Sequence, residues 1–162
     1  MSLHYQVETV EQDIVKIVLD GGITVESSEV LGEILKNVKC SKCIFNLKSI
    51  NQIDSLGIRS WIQFMESFAP NREIEFEECC PSVVMQINMI PEFRMGAKVR
   101  SVYGEFTCPA CEKEQWKRIH PLDDYEQAMK QLVEQNCEAC GNQVELDVDE
   151  ESFFCFLRND HS

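Results

Sequence analysis

Residues 43–57 read Cys43-Ile44-Phe45-Asn46-Leu47-Lys48-Ser49-Ile50-Asn51-Gln52-Ile53-Asp54-Ser55-Leu56-Gly57, a short apolar run that gives way to a polar turn. The uncharged Cys43-to-Leu47 segment predicts a strand buried near the middle of a sheet. Directly after the turn, Leu56, Ile58, Trp61, Ile62, Phe64, Met65 and Phe68 supply the apolar positions of a helix, which Pro70 and Asn71 end. A serine at a helix start can satisfy a free backbone N–H as a cap. It can equally present its hydroxyl for modification, and Ser55 is open to both readings.

Upstream, residues 4–10 and 13–19 predict a hairpin. Val7, Val10, Ile14, Val15, Ile17, Val18 and Leu19 are strand formers, and Glu11-Gln12-Asp13 is polar enough to turn. Asp20-Gly21-Gly22 is expected to break the second strand. Glu26-Ser27-Ser28-Glu29 then opens a helix with Val30, Leu31, Ile34, Leu35 and Val38 on one face. Strand, helix, strand in this order predicts a parallel crossover. Downstream, Ile74 and Phe76 alternate with glutamates in a half-exposed strand over 73–78, and Pro81-Ser82 opens a third helix with Val83, Val84, Ile87 and Ile90 inward. Segment 91–97 reads as a junction between two domains, 1–97 and 98–162. The second is expected to hold a strand over 98–107, a strand carrying Trp116, a helix near 123–135 and a terminal hairpin around 143–157.

The order of elements resembles the STAS domain of bacterial anti-sigma factor antagonists over about residues 4–95. The matching residues are Gly21-Gly22-Ile23-Thr24, the strand Ile44-Phe45-Asn46-Leu47, and Ile53-Asp54-Ser55-Leu56-Gly57 before the helix. The resemblance implies an α/β fold with a mixed four-stranded sheet and helices mainly on one face. It also implies partner switching by a nonenzymatic regulator: the serine matching Ser55 is phosphorylated by a kinase that is itself an anti-sigma factor, and Asp54 and Gly57 belong to the same recognition turn. Leu56 departs from the small residue usual after that serine, and the segment beyond residue 97 lies outside the minimal family pattern.

That segment carries two pairs, Cys108-Pro109-Ala110-Cys111 and Cys137-Glu138-Ala139-Cys140. Two Cys-x-x-Cys turns about 25 residues apart supply the four thiolates of a tetrahedral zinc site, so residues 98–162 read as a zinc ribbon with structural zinc. Four thiolates leave no open coordination position for catalysis.

The nine cysteines are an odd number, and Met1 to Val7 shows no basic region followed by an apolar stretch, so the expectation is a cytoplasmic chain with reduced thiols. No apolar run approaches the roughly 18 residues of a membrane span. Residues 1–97 carry 14 acidic and 8 basic side chains, a balance of −6; residues 98–162 carry 14 and 7, a balance of −7. Such charge argues against nonspecific nucleic-acid binding, which draws on Lys and Arg at phosphates. A zinc-dependent nucleic-acid or transcription-complex module is the alternative function. A second alternative is a thiol redox protein using Cys40 and Cys43, although that pair enters a strand rather than capping a helix.

Cys79 and Cys80 read as small buried side chains, with a second four-sulfur set possible only if Cys40 and Cys43 lie close. Cys155 reads as core on a strand. His4, His120 and His161 have no serine or cysteine partner at an informative spacing, so no catalytic residues are assigned. Residues 147–151 carry four carboxylates without the glycine of a calcium loop and read as a solvated hairpin turn. Trp116 is expected over the zinc turn.

Overall fold

Phe45 lies at the centre of the larger core, its ring edge-on to Trp61, Phe64, Phe68 and Phe76 at centroid distances of 5.5, 6.0, 5.8 and 6.1 Å. Edge-on aromatic pairs add about 0.5–1.5 kcal/mol each beyond the area they bury. In the computed structural model, which describes residues 2–159, this cluster joins a sheet to the helices on one of its faces. Strands β1 (His4–Glu11), β2 (Ile14–Ile23), β3 (Lys42–Ile53), β4 (Glu73–Glu77) and β5 (Lys98–Val99) stand side by side in that order. β1 is antiparallel to β2, and the remaining pairs are parallel.

The sheet is therefore mixed, as expected, but has five strands rather than four. The fifth consists of two residues paired with Glu75 and Phe76, too short for any periodicity to reveal. β2 also runs through the glycines expected to end it. Its pairing with β3 shifts between Val18 and Asp20 and again between Gly21 and Gly22, so these glycines mark bulges. Gly21, at φ 113°, allows the Ser2 carbonyl to approach within 2.1 Å of where a Cβ would stand.

Alternation along the strands sorts the two faces. Val15, Ile17, Leu19, Cys43, Phe45, Leu47, Ile74 and Phe76 are buried in the core. The other face carries ion pairs from Lys16 to Glu77 at 2.9 Å, Lys42 to Glu75 at 2.7 Å and Arg100 to Glu75 at 3.2 Å. Helices α1 (Ser27–Asn37), α2 (Ser55–Phe68) and α3 (Pro81–Met89) follow the parallel strands β2, β3 and β4, so all three start at the C-terminal ends of those strands. A single turn, α4 (Pro91–Arg94), follows; there the Trp61 indole N–H donates to the Phe93 carbonyl at 2.8 Å.

The strand expected over 98–107 is broken at Arg100-Ser101. β5 joins the first sheet, while β6 (Val102–Thr107) is the middle strand of a second, antiparallel one with β7 (Glu114–Ile119) and β8 (Glu145–Leu146). Helix α5 (Tyr125–Val133) lies between β7 and β8 in sequence. The terminal hairpin is replaced, beyond β8, by two short helices, α6 (Glu150–Phe153) and α7 (Cys155–Asn159). Asp149, expected in a solvated turn, caps α6 by accepting from the Ser152 N–H at 3.1 Å. Phe153, Phe154, Phe156 and Leu157 are buried, which is helical rather than alternating spacing. Asn88 of α3 holds them, donating to the Phe153 carbonyl at 2.9 Å and accepting from the Phe156 N–H at 2.8 Å. Among the described residues, no helix is long and apolar enough to cross a membrane.

Candidate functional site

The strand-to-helix turn that carries Ser55 is fixed by its neighbours on both sides. Asp54 is extended, with φ −121° and ψ 172°, and its Oδ1 accepts from the Gly57 N–H at 2.8 Å. Its carbonyl accepts the first helical bond from Ile58 at 2.9 Å, and its own N–H donates to the Ile23 carbonyl at 3.2 Å. Asp54 is thus the cap of α2, and Ser55 is the first helical residue, exposed to solvent. The capping role that Ser55 could have held belongs to its neighbour.

Gly57 is buried against the end of β2. A Cβ there would stand 1.8 Å from the Ile23 carbonyl oxygen, so only glycine lets the first turn of α2 approach so closely. The loop on the other side of that contact is braced by Ser27, which is fully buried. Its hydroxyl donates to the Gly22 carbonyl at 2.8 Å and accepts from the Thr24 N–H at 2.7 Å. Val25 in this loop and Leu56 in the turn are 57% and 55% exposed, giving the edge around Ser55 an apolar component.

The second constellation is the four-cysteine cluster. The ligand atoms of Cys108, Cys111, Cys137 and Cys140 all lie within 4.8 Å of one another, with Cys108 Sγ 3.5 Å from Cys140 Sγ and Cys111 Sγ 3.6 Å from Cys137 Sγ. A tetrahedral zinc with bonds of about 2.3 Å has sulfur–sulfur edges of about 3.8 Å, so the donor set fits that ion in type, number and spacing.

Both turns use one hydrogen-bond scheme. Cys108 N–H donates to the Lys113 carbonyl and Glu112 N–H to the Cys108 carbonyl; Cys137 N–H donates to the Asn142 carbonyl and Gly141 N–H to the Cys137 carbonyl. Glu112 and Gly141 occupy equivalent left-handed positions, at φ 64° and 79°. Glu112→Gly is expected to raise stability by about 0.5–1 kcal/mol, read from the urea midpoint, because the left-handed cost of a side chain exceeds the extra freedom glycine gives the unfolded chain.

Buried Gln115, which the spacing of the cysteines does not reveal, serves the second turn. Its amide donates to Cys137 Sγ at 3.3 Å, and its oxygen accepts from the Glu138 N–H at 2.9 Å. In the metal-free chain this donor, with the N–H groups of Cys140 and Ala139, brings the Cys137 thiol down to about 6. Cys140 is lowered by the Asn142 N–H, its contact with Cys108 and the Asn142 side chain. Lys113 and Glu138 pair across the two turns at 2.9 Å.

The other cysteines form no such set; among the described residues, the four named above are the one group of this kind. Cys43, Cys79 and Cys80 are buried and their thiols are pushed up by desolvation, as is that of half-buried Cys40, so no low-pKa redox nucleophile is present among them. Cys155 stands half-buried at the start of α7 rather than on a strand. Trp116 does not cover the metal turn. It lies on the outer face of β7 against Tyr103, with ring centroids 5.5 Å apart, and is 44% exposed. His4 is on β1, and His120 is exposed just after β7, its backbone bonded to the Gln131 side chain. His161 lies outside the described residues.

A polar network that pattern reading misses joins the two sheets. Glu78 accepts from Tyr103 Oη at 2.9 Å and from Asn46 at 2.7 Å, and it pairs with Arg118. Burial works to raise the Glu78 carboxyl, but Asn46, Tyr103 and Arg118 outweigh it and hold it below its usual value.

Among solved structures, the chain is similar to the anti-sigma factor antagonist SpoIIAA in its unphosphorylated form. The two share 19% identity over 59% of this chain and 86% of that one, at a TM-score of 0.42. No protein-family model and no curated protein matches the chain. At such a score the likeness adds nothing to what strand order and packing show.

Proposed function

We propose that the chain is a nonenzymatic bacterial regulator of the STAS type that binds a protein partner through the turn at Asp54, Ser55 and Gly57 and releases it when Ser55 is phosphorylated. The partner class is an anti-sigma factor or serine kinase, in the cytoplasm. The 98–162 segment gives β5 to the sheet of the 1–97 unit, and from β6 onward it forms a zinc-ribbon unit with structural zinc on Cys108, Cys111, Cys137 and Cys140. When bound, zinc ties the two cysteine turns together; the chain's own part is to hold four thiolates in place, with Gln115 orienting Cys137.

The observation that carries the reading is that Ser55 is exposed at the first position of α2 while Asp54 does the capping. The hydroxyl therefore has no holding role in that turn to lose. A phosphate there brings about −1.5 to −2 charges to a helix start, where the backbone dipole favours negative charge. The fold tolerates it. A partner surface built around a neutral hydroxyl, with Leu56 and Val25 beside it, must instead desolvate a doubly charged group.

The test combines phosphopeptide mapping after incubation with ATP and candidate serine kinases with partner binding by Ser55→Ala and Ser55→Asp. Phosphate on Ser55, retained binding by the alanine variant and at least about tenfold weaker binding by the aspartate variant are expected. Ser55→Asp should not lower the thermal midpoint and should raise it by at most about 4 °C, since an acid in a first turn stabilises a helix by about 0.3–1 kcal/mol. Absence of phosphate at Ser55 together with unchanged binding by Ser55→Asp removes the switch.

A further inference from the structure

Residues 81–90, which span α3, carry no charged side chain, in a chain in which 27% of residues are charged. The inner face of the helix is accounted for by Val83, Val84 and Ile87 in the core. Its outer face is not: Met85 is 53% exposed and Met89 66%. Both line a groove of about 340 Å³ between α3 and α6, whose far wall is Val148, itself 50% exposed, and Phe153. The walls are fixed with respect to each other, because Asn88 is bonded to the backbone of Phe153 and Phe156. Large apolar side chains gathered in a preformed groove mark an interaction surface, and methionine adapts its shape to whatever is seated on it.

The charge around the groove identifies the occupant. Glu105 lines the groove and also a second cleft of about 400 Å³, where it is joined by Glu114, Asp147 and half-exposed Trp116. Neither lining includes a Lys or Arg among the described residues. An apolar trough that shares Glu105 with a cleft lined by two further carboxylates and an indole suits a segment with apolar side chains on one side and a guanidinium or ammonium group at the end; carboxylate and indole both attract such a cation. A second copy would set Glu105 and Asp147 against carboxylates of its own, and an anionic lipid surface would be repelled.

We infer that the α3–α6 groove is a docking site for an amphipathic helix of a partner protein, with apolar residues on Met85, Met89 and Val148 and a Lys or Arg in the cleft of Glu105 and Trp116. This does not rest on modification of Ser55, and Ser55 variants leave it untouched.

The probe is a designed helical peptide with leucine at positions i, i+3, i+4 and i+7 and lysine elsewhere, followed by fluorescence anisotropy at about 0.15 M salt. A twin with glutamate in place of lysine and a scrambled lysine peptide serve as controls. Saturable binding of the first peptide alone is expected, weakened about tenfold by the charge-neutral double variant Met85→Gln/Met89→Gln and severalfold by Glu105→Gln. With 13C-labelled methionine methyls, the Met85 and Met89 signals should shift while that of buried Met65 stays, which also shows that the fold is intact. Equal binding of the scrambled or glutamate peptide, or of the double variant, overturns the inference. So does a concentration-dependent shift of those methyls in the protein alone, lost in the double variant, which would assign the groove to a second copy.

Discussion

Cys137→Ala protein is expected to emerge with less than one zinc per chain and to lose ordered structure around both cysteine turns, against an expected one equivalent in the parent. The size of the effect follows from what else holds this region. β8 is two residues long, and the four backbone-to-backbone bonds that shape the turns at 108–113 and 137–142 close within each turn, with the Gln115 side chain as a further tie to Lys113 and Glu138. Structural zinc in small modules supplies about 10–16 kcal/mol of apparent folding free energy at neutral pH, more than buried Ile119, Leu132 and Val144 can replace at about 1.5–3 kcal/mol each.

Metal analysis combined with hydrogen exchange checks this prediction. Residues 108–144 should exchange fast in the variant and in chelator-treated parent, while β2, β3 and α2 stay protected. Full protection of residues 108–144 without metal would show that no ion is needed to hold the two turns together. Acid should act in the same direction. Protons compete with the metal for the four thiolates, so lowering the pH should release zinc and bring on the same fast exchange.

Gly57→Ala reverses the usual expectation for a helix. Alanine in place of glycine in a helix interior ordinarily gains about 1 kcal/mol. Here the new methyl would stand 1.8 Å from the Ile23 carbonyl oxygen and 2.5 Å from the Thr24 nitrogen, both backbone atoms that no rotamer can move. The first turn of α2 must back away from β2, breaking the Asp54-to-Ile23 bond. A loss of about 3 kcal/mol is expected, seen as a fall of about 6–12 °C in Tm. A variant at least as stable as the parent would mean that the close approach is not a feature of the folded chain. Because this packing also aims Ser55 outward, partner binding should weaken with it, whereas Ser55→Ala alters neither the packing nor the midpoint.

What could be read in advance was what repeats. Trp61, Phe64, Met65 and Phe68 carry a helical period, and Ile74 and Phe76 a strand period, so α2 and β4 were legible within a residue or two. The paired cysteines were legible because metal chemistry restricts their spacing. β5 was not, since two residues have no period. The end of the chain was misread because Phe153, Phe154, Phe156 and Leu157 can pass for a strand, although Asp149 with Ser152 and two first-turn glutamates is a helix-start signal. The cap of α2 slipped by one residue because aspartate and serine cap equally well and only the backbone angles separate them. Gln115 and Glu78 act through contacts with distant segments, which no local pattern encodes.

The two ends of the five-stranded sheet bear on how the chain behaves when crowded with its own kind. An open strand edge offers unpaired backbone groups to any neighbour. At one end, β5 is only two residues long and offers little to template. At the other, β1 is eight residues long and exposes Val7 and Val10, but Glu8 and Glu11 sit among them and the pairing slips between Thr9 and Glu11. Charge and irregularity on one flank and brevity on the other oppose strand-by-strand polymerisation, so a protein with apolar docking surfaces can accumulate without feeding fibrils from its sheet.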